Sequence, residues 1–449
     1  MLNSFTIKSL AKEIGFSDCG IACADRLTEE EYPLDAWLAE GYNADMEYMG
    51  RNAEMRRDPR LLVEGARSVI SLVLAYKPDR QMEGRYKIAQ YAYGEDYHER
   101  LKRMSYQLIA KIREQYPDFE GRPFVDTAPI SDRHWAVRAG LGWIGKNTLF
   151  IHPIFGSYCF LAEIVTPADF DQYSNSKLLN SKLSKLSKLE DDENSKLSKL
   201  SKLEDIEVIE NSSVQGDSQS PCSNCNLCVD ACPNHAIVPI EQSELEVIED
   251  IETNTQAFNH SNAQAFNQSR PNRRRTTVVQ AFKCTSYNTI ENRADTLPAE
   301  LNTRGYIFGC DICQLVCPYN RDVPPAFHLT DERKKELESI FNEFESPYFD
   351  TFDSFESQHF DNFDNFDNFE SNNFDNFDNF DNFESKKFDN FDNFESNNFD
   401  NFELKNFDTF DTFELQKSKF NKLRKHSALS RIKFSQLLRN LRSAVKGDL

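Results

Sequence analysis

Apolar positions over residues 3–14 recur at the spacing of one helical face. The pattern returns over Tyr97–Ile112, where Leu101, Met104, Leu108 and Ile112 share a face. Between these predicted helices lie two apolar stretches, Cys19–Ala24 and Ala66–Tyr76. The second, A-R-S-V-I-S-L-V-L-A-Y, is β-branched and apolar, as expected of a buried strand. Leu34–Met49 has helical spacing. Further on, Pro123–Thr127 predicts a strand edge, and Ser131 or Asp132 caps a short helix to Ala139. Thr148–Ile151 and Tyr158–Val165 predict a hairpin around P-I-F-G-S. This mixed order predicts an α+β domain over 1–167, long enough to bury its own core.

The foldable pattern then fails three times. Residues 172–213, within an insertion set at 168–218, repeat S-K-L with a period matching neither helix nor strand. Residues 241–276 are Asn/Gln-rich and polar, and 346–416 repeat F-D-N. Repeat architectures use units of about 20–50 residues, so a triplet is too short to be a module. All three blocks are expected to be disordered surface insertions. They leave a second domain over 219–330 and a C-terminal helical segment over 331–345 and 417–449. Phe434, Leu437, Leu438, Leu441 and Val445 give that tail an apolar stripe. Its ten Lys/Arg between Lys417 and Lys446, with no acidic residue, predict a docked helix showing its basic side outward, and a possible phosphate contact.

Charge changes this picture only by correction. The net charge of −21 argues against nucleic acid, but 350–414 alone carries 19 Asp/Glu against 3 Lys. The rest of the chain is close to balanced. The first residues lack a secretory apolar core, and no run approaches the length needed to span a bilayer. Eleven cysteines without a disulfide pattern then point to the reducing cytoplasm and to metal.

The chemistry is concentrated in Pro221–Pro233, P-C-S-N-C-N-L-C-V-D-A-C-P. Cys222, Cys225, Cys228 and Cys232 have the C-x2-C-x2-C-x3-C-P spacing of a bacterial-ferredoxin run. Zinc sites usually pair two separated knuckles instead. Cys310, Cys313 and Cys317 repeat the C-x2-C-x3-C-P ending, but the position before them is Ile307, which cannot ligate iron. Cys284 is the nearest unused cysteine. The crossover rule of two-cluster ferredoxins puts Cys222, Cys225, Cys228 and Cys317 on one [4Fe–4S] cluster. Cys232, Cys284, Cys310 and Cys313 then hold the other.

Gly140, Gly142 and Gly145 imitate a dinucleotide fingerprint, and Gly140–Lys146 nearly imitates a P-loop. Both fail, because a helix precedes and a strand follows, and Asn147 stands where magnesium needs Ser or Thr. A glycine-rich turn remains, with Trp143 nearby, open to close approach by a large ligand.

Taken together, R-R-D-P at 56–59, Y-G-E-D-Y-H at 93–98, V-D-T-A-P-I at 125–130 and A-G-L-G-W-I-G-K-N at 139–147 resemble the epoxyqueuosine reductases of tRNA modification. Both cysteine motifs, C-T-S-Y-N-T-I-E at 284–291 and S-A-L-S-R…L-L-R-N at 427–440 follow in that family's order. The resemblance implies an oxidoreductase in which two [4Fe–4S] clusters feed a base-off cobalamin that removes the epoxide oxygen of epoxyqueuosine at the tRNA wobble position. It implies Asp126 as proton donor, with Asp96 and His98 in the pocket. Arg57, Tyr97, Gly140, Gly142, Trp143, Lys146 and Asn147 are implied on the cobalamin side. Expelling oxygen as water needs protons, and the apolar T-A-P-I run beside Asp126 is expected to raise its pKa and keep it protonated. The expected partners are tRNA and an unidentified electron donor, for a monomer without membrane contact. The rival classes are a dehalogenase-like reductase of a small molecule and a non-catalytic two-cluster electron carrier. The resemblance is incomplete at Gln280, where the family has an acidic residue, and no helical repeats follow the core.

Overall fold

A strand buried on both faces needs a layer on each side, and Ser68–Ala75, buried at every position, has them. The computed structural model describes residues 2–171 except 30 and 127, 221–240 except 223, 276–342 and 405–446. Asp18–Cys23, Ser68–Ala75, Cys159–Thr166 and Arg122–Phe124 form a four-stranded sheet in that spatial order. Its pairings are all antiparallel. Ile70, Leu72, Leu74, Ala162 and Ile164 pack on one side against the helices Ser4–Ile14 and Tyr97–Gln115. Val69, Val73, Leu161 and Val165 pack on the other against Trp135, Ala136 and Ala139.

The two long helices begin and bury themselves as their sequences dictate. Asn3 accepts from the Thr6 N–H at 3.0 Å, and Gly15 ends the first helix at φ 106°. Asp96 accepts from the His98 N–H at 2.9 Å to start the second, whose Leu101, Met104, Leu108 and Ile112 all face the sheet. This cap fixes the first turn of the helix, and with it the direction of Tyr97 and His98.

The cysteine-bearing half is built from short elements and is tied to the sheet half by backbone pairing. Tyr306–Phe308 runs parallel to Lys87–Ile88, and Ile237–Pro239 pairs with Thr277–Val279. Trp37 Nε1 donates to the Val279 carbonyl at 2.8 Å, and the Tyr287 hydroxyl donates to Asp45 at 2.9 Å. Residues 1–330 and 424–449 form one compact unit, and 331–423 a second. Asp331–Asn342 is a helix of the second, and the helix Lys405–Arg424 belongs to it up to Leu423. The last F-D-N residues, from Lys405, are therefore helical rather than disordered. The remainder of that block, nearly all of 241–276 and the whole of 172–213 lie outside the described residues.

Four expectations are corrected. Leu34–Met49 is not one helix. Gly41 and Ala44 take positive φ, the helix stops at Ala39, and short turns follow at Tyr48–Arg51 and Ala53–Arg57. The turn around P-I-F-G-S closes with a single antiparallel bridge, His152 to Gly156, but the two predicted strands do not pair with each other. Phe150–Ile151 pairs with Trp143–Ile144, while Cys159–Thr166 joins the main sheet. Third, Gly142 and Gly145 are also required by the packing of the chain on itself. A Cβ at Gly142 would lie 2.2 Å from the Ile151 carbonyl oxygen, and one at Gly145 would lie 2.6 Å from the Ile151 side chain. Finally, the tail docks, but not with all its basic groups outward. Arg439 is buried and donates to the carbonyls of Asn288, Asn292 and Ala294. Gly142→Ala should accordingly cost about 1–3 kcal/mol, as overpacking does. A lowered melting temperature under anaerobic conditions checks this; an unchanged one would show that the Trp143–Ile151 crossing can open without cost.

Candidate functional site

Cys222, Cys225, Cys228 and Cys317 line one cavity, together with Lys146, Asn147, Ile151, Pro318 and Tyr319. These are the four cysteines that the crossover rule grouped together. Cys232, Cys284, Cys310 and Cys313 make the second group, close enough for their charges to act on one another. Among the described residues no three His, Cys, Asp or Glu side chains converge on a single ion. Four sulfurs around a cavity suit a cubane, not a lone zinc. Burial raises the thiols of Cys228, Cys284 and Cys313, and lifts Cys317 to about 11 and Cys310 to about 12. A cationic metal core is what would hold thiolates in such an interior.

Around these groups stand hydrogen bonds of the kind that orient metal ligands. The Ala236 N–H donates to Cys232 Sγ at 3.3 Å, and Lys146 Nζ donates to Asn226 Oδ1 at 2.7 Å. Asn147 Nδ2 reaches the Cys313 carbonyl at 3.5 Å. Trp143 is buried against Cys222 and Cys317, with its ring edge-on to Tyr319 at 4.8 Å.

The second constellation is built on the start of the Tyr97–Gln115 helix. His98 donates from Nδ1 to Asp96 Oδ1 at 2.8 Å and from Nε2 to Asp126 Oδ2 at 2.9 Å. The Tyr97 hydroxyl donates to the same Asp126 oxygen at 2.8 Å. Asp126 sits at φ 29°, a backbone conformation unusual for a residue with a side chain, on the turn after Arg122–Phe124. Its side chain is 41% exposed, against 18% for His98, so the carboxylate is the outer member of the row.

The electrostatics reverse one expectation. Desolvation does push the Asp126 carboxyl upward. Hydrogen bonds from His98 and Tyr97, and the charges of His98 and Arg431, outweigh it and hold the group at about 2. Burial would lower the His98 imidazole, yet the hydrogen bonds and charges of Asp126 and Asp96 raise it to about 9. At neutral pH the proton therefore resides on His98, and Asp126 is a carboxylate.

An aromatic column connects the two constellations. Tyr97 stacks on His98 at 3.9 Å and on Phe160 at 4.4 Å, and Phe160 stacks on Tyr76 at 4.4 Å. The Tyr76 hydroxyl then donates to Gln314 Oε1 at 3.2 Å, between Cys313 and Cys317.

Other residues implied by the resemblance fall differently. Arg57 is buried and pairs with Glu29 at 2.5 Å, Asp35 at 3.0 Å and Glu54 at 3.2 Å, so its two terminal nitrogens are occupied within the fold. Lys146 and Asn147 line the first cysteine cavity, Gly142 packs on Ile151 in the crossing beside it, and Gly140 turns the chain at φ 76°. Sequence reasoning placed Arg431 in the basic tail, with Lys433 and Arg439, as a phosphate contact, and missed its place beside Asp126 and Glu291. Arg431 pairs with Glu291 and lies 3.7 Å from Asp126 Oδ2. Basic composition and the S-A-L-S-R motif were its sequence signals, and neither reports an acidic partner.

The family model described as Epoxyqueuosine reductase QueG, DUF1730 matches residues 56–127. Models of a 4Fe-4S double cluster binding domain and a 4Fe-4S binding domain match 271–320 and 218–238. A protein of Leadbetterella byssophila named epoxyqueuosine reductase is 34% identical over 329 residues, 73% of this chain and 82% of the relative. One of the same name from Synechococcus is 31% identical over 351 residues, 75% of this chain and 84% of the relative. A solved epoxyqueuosine reductase from Streptococcus thermophilus shares the fold with a TM-score of 0.50 at 24% identity, covering 78% of this chain and 75% of that one.

The cysteine grouping yields a direct test. Cys284→Ser should lower bound iron from two clusters toward one and remove one set of EPR signals, leaving the ring of Cys222, Cys225, Cys228 and Cys317 loaded. Full iron content in that variant would sink the assignment.

Proposed function

The chain belongs to the epoxyqueuosine reductase family, and from that premise we infer that it reduces epoxyqueuosine to queuosine in tRNA, using Asp126 to deliver a proton stored on His98. The observation that carries this reading is the meeting of Tyr97, His98 and Asp126 at one carboxylate oxygen. Reducing an epoxide to an alkene and water consumes two electrons and two protons, so a proton donor at the site is a chemical requirement.

Eight cysteines in two groups of four fit two [4Fe–4S] clusters. A corrinoid is fitted by the chain in a narrower sense. The indole N–H of Trp143 is buried without a hydrogen-bond partner near the first cysteine cavity, and suits a peripheral amide of such a ring. Trp143, Lys146, Asn147 and Tyr97 are the residues that would hold it. Bound there, these groups would supply single electrons at low potential.

The protein's own part is protonic. Asp96 fixes the His98 ring by accepting from Nδ1, which leaves Nε2 directed at Asp126. When an alkoxide develops beside Asp126, the His98 proton can pass through the carboxylate to it. The exposed side of Asp126 then allows recharging from water. Burial and the neighbouring Asp126 charge push the Tyr97 phenol far up, so it remains a neutral donor that orients the carboxylate. The tRNA must bring its base to this outer carboxylate.

The pH dependence follows from the directions of the shifts. The His98 contribution to stability is complete below the ordinary 6.5 and is lost as pH rises through about 9. The Asp126 contribution is present above 3.8 and is lost as pH falls through about 2. With reductant in excess, turnover should decline as pH rises through about 9. Asp126→Asn should keep its iron and bind tRNA, lose about 10²–10⁴-fold in turnover, and move the alkaline decline to lower pH. Turnover within about threefold of wild type would remove Asp126 from proton delivery.

A further inference from the structure

The Asp126 turn is held in place by contacts from two distant parts of the chain. Tyr97 and His98 supply two, from the start of one helix. The third is the Arg431 guanidinium, with NH1 3.7 Å from Asp126 Oδ2 and NH2 on Glu291. Non-glycine residues held at positive φ are strained and persist only where surrounding contacts impose them. At φ 29°, Asp126 is such a residue.

Arg431 is itself firmly placed. Its carbonyl accepts from Arg293 NH1 at 3.2 Å, and the same Arg293 group donates to Gln436 Oε1 at 2.7 Å. Behind it, Asn440 Nδ2 donates to the carbonyls of Thr289 and Ile307, each at 2.8 Å. Five residues before Arg431, the His426 carbonyl accepts from the Asp96 N–H at 2.8 Å. Glu291 follows the helix Thr285–Ile290, which starts immediately after Cys284. The C-terminal segment therefore touches both Asp96 and Asp126, at the two ends of the proton row, and anchors on the helix that begins at a cluster ligand.

We propose that Arg431 is a positioning residue for the reaction: carried by the C-terminal segment, it latches the Asp126 turn against His98. The inference rests on the proton-delivery reading above, but the latch itself can be measured without turnover. A guanidinium can fork across two carboxylates, here Asp126 and Glu291, in a way an ammonium cannot. The rival role, contact with a tRNA phosphate, would be felt in affinity and its salt dependence.

Three readouts on the cluster-loaded full chain separate these roles. In Arg431→Gln, amide hydrogen exchange of peptides covering 122–131 should quicken by roughly tenfold, while the body of the Tyr97–Gln115 helix exchanges as before. The kcat should fall by about ten- to a hundredfold, as expected for a misplaced reacting group, with tRNA affinity unchanged. The alkaline decline in turnover should move to lower pH, because His98 loses a fixed carboxylate partner. Faster exchange without a functional effect would keep the latch and overturn the proton-delivery reading. Wild-type exchange, or weakened tRNA binding with kcat retained, would overturn the latch. If Arg431→Gln fails to retain its iron, Arg431→Lys should show the same loosening in smaller degree. A turn exchanging at the wild-type rate in that variant would end the proposal.

Discussion

Eight thiols from three stretches of chain gather into two groups, and the pairing is crossed: Cys317 joins the first motif's group, and Cys232 joins the second. That crossing is the constraint on which the cysteine half depends. It forces residues 222–232 and 310–317 to interleave, and it requires Cys284 to arrive between them. Elements too short to be stable alone, such as Leu227–Asp230 and Ile312–Leu315, are held because their ends are tied to these groups. The parallel pairing of Tyr306–Phe308 with Lys87–Ile88 then attaches the assembly to the sheet.

Much of this was legible in the sequence, for identifiable reasons. Helices with a single apolar face, such as Tyr97–Gln115, carry their own evidence, because 3.6-residue spacing and an Asp96 cap are local facts. The same is true of the continuously buried Ser68–Ala75 and of cysteine spacing. Strand partners were not legible. Phe150–Ile151 and Cys159–Thr166 are near in sequence, yet they pair with Trp143–Ile144 and Ser68–Ala75, a choice decided by tertiary packing. The segment from Leu34 kept helical spacing but broke at Gly41, where spacing alone cannot report a turn.

The candidate site shows the same boundary between local and distant causes. Its members Asp96, His98 and Asp126 could be named from motifs. The protonation state could not, since an apolar neighbourhood in sequence argued for a raised Asp126 pKa. Three hydrogen-bonding or charged groups, two from the helix start and one from the tail, reverse the sign. Likewise, the basic tail read as a uniform cationic surface. Arg439 is instead spent on buried carbonyls, while Arg431 reaches the acidic site.

The separation of Arg431 from Asp126 along the chain also orders events in time. Asp126 and its helix are made early, and the arginine that completes their surroundings emerges some 300 residues later. At about 5–20 residues per second, roughly 15–60 s separate the emergence of Asp126 from that of Arg431, and through that interval the acidic turn lacks its third contact. Every cysteine leaves the ribosome before Arg431 does, so cofactor loading can start on a chain whose Asp126 turn still lacks its arginine. A reductase built in this order has all the cysteines for its clusters before its acidic turn is complete.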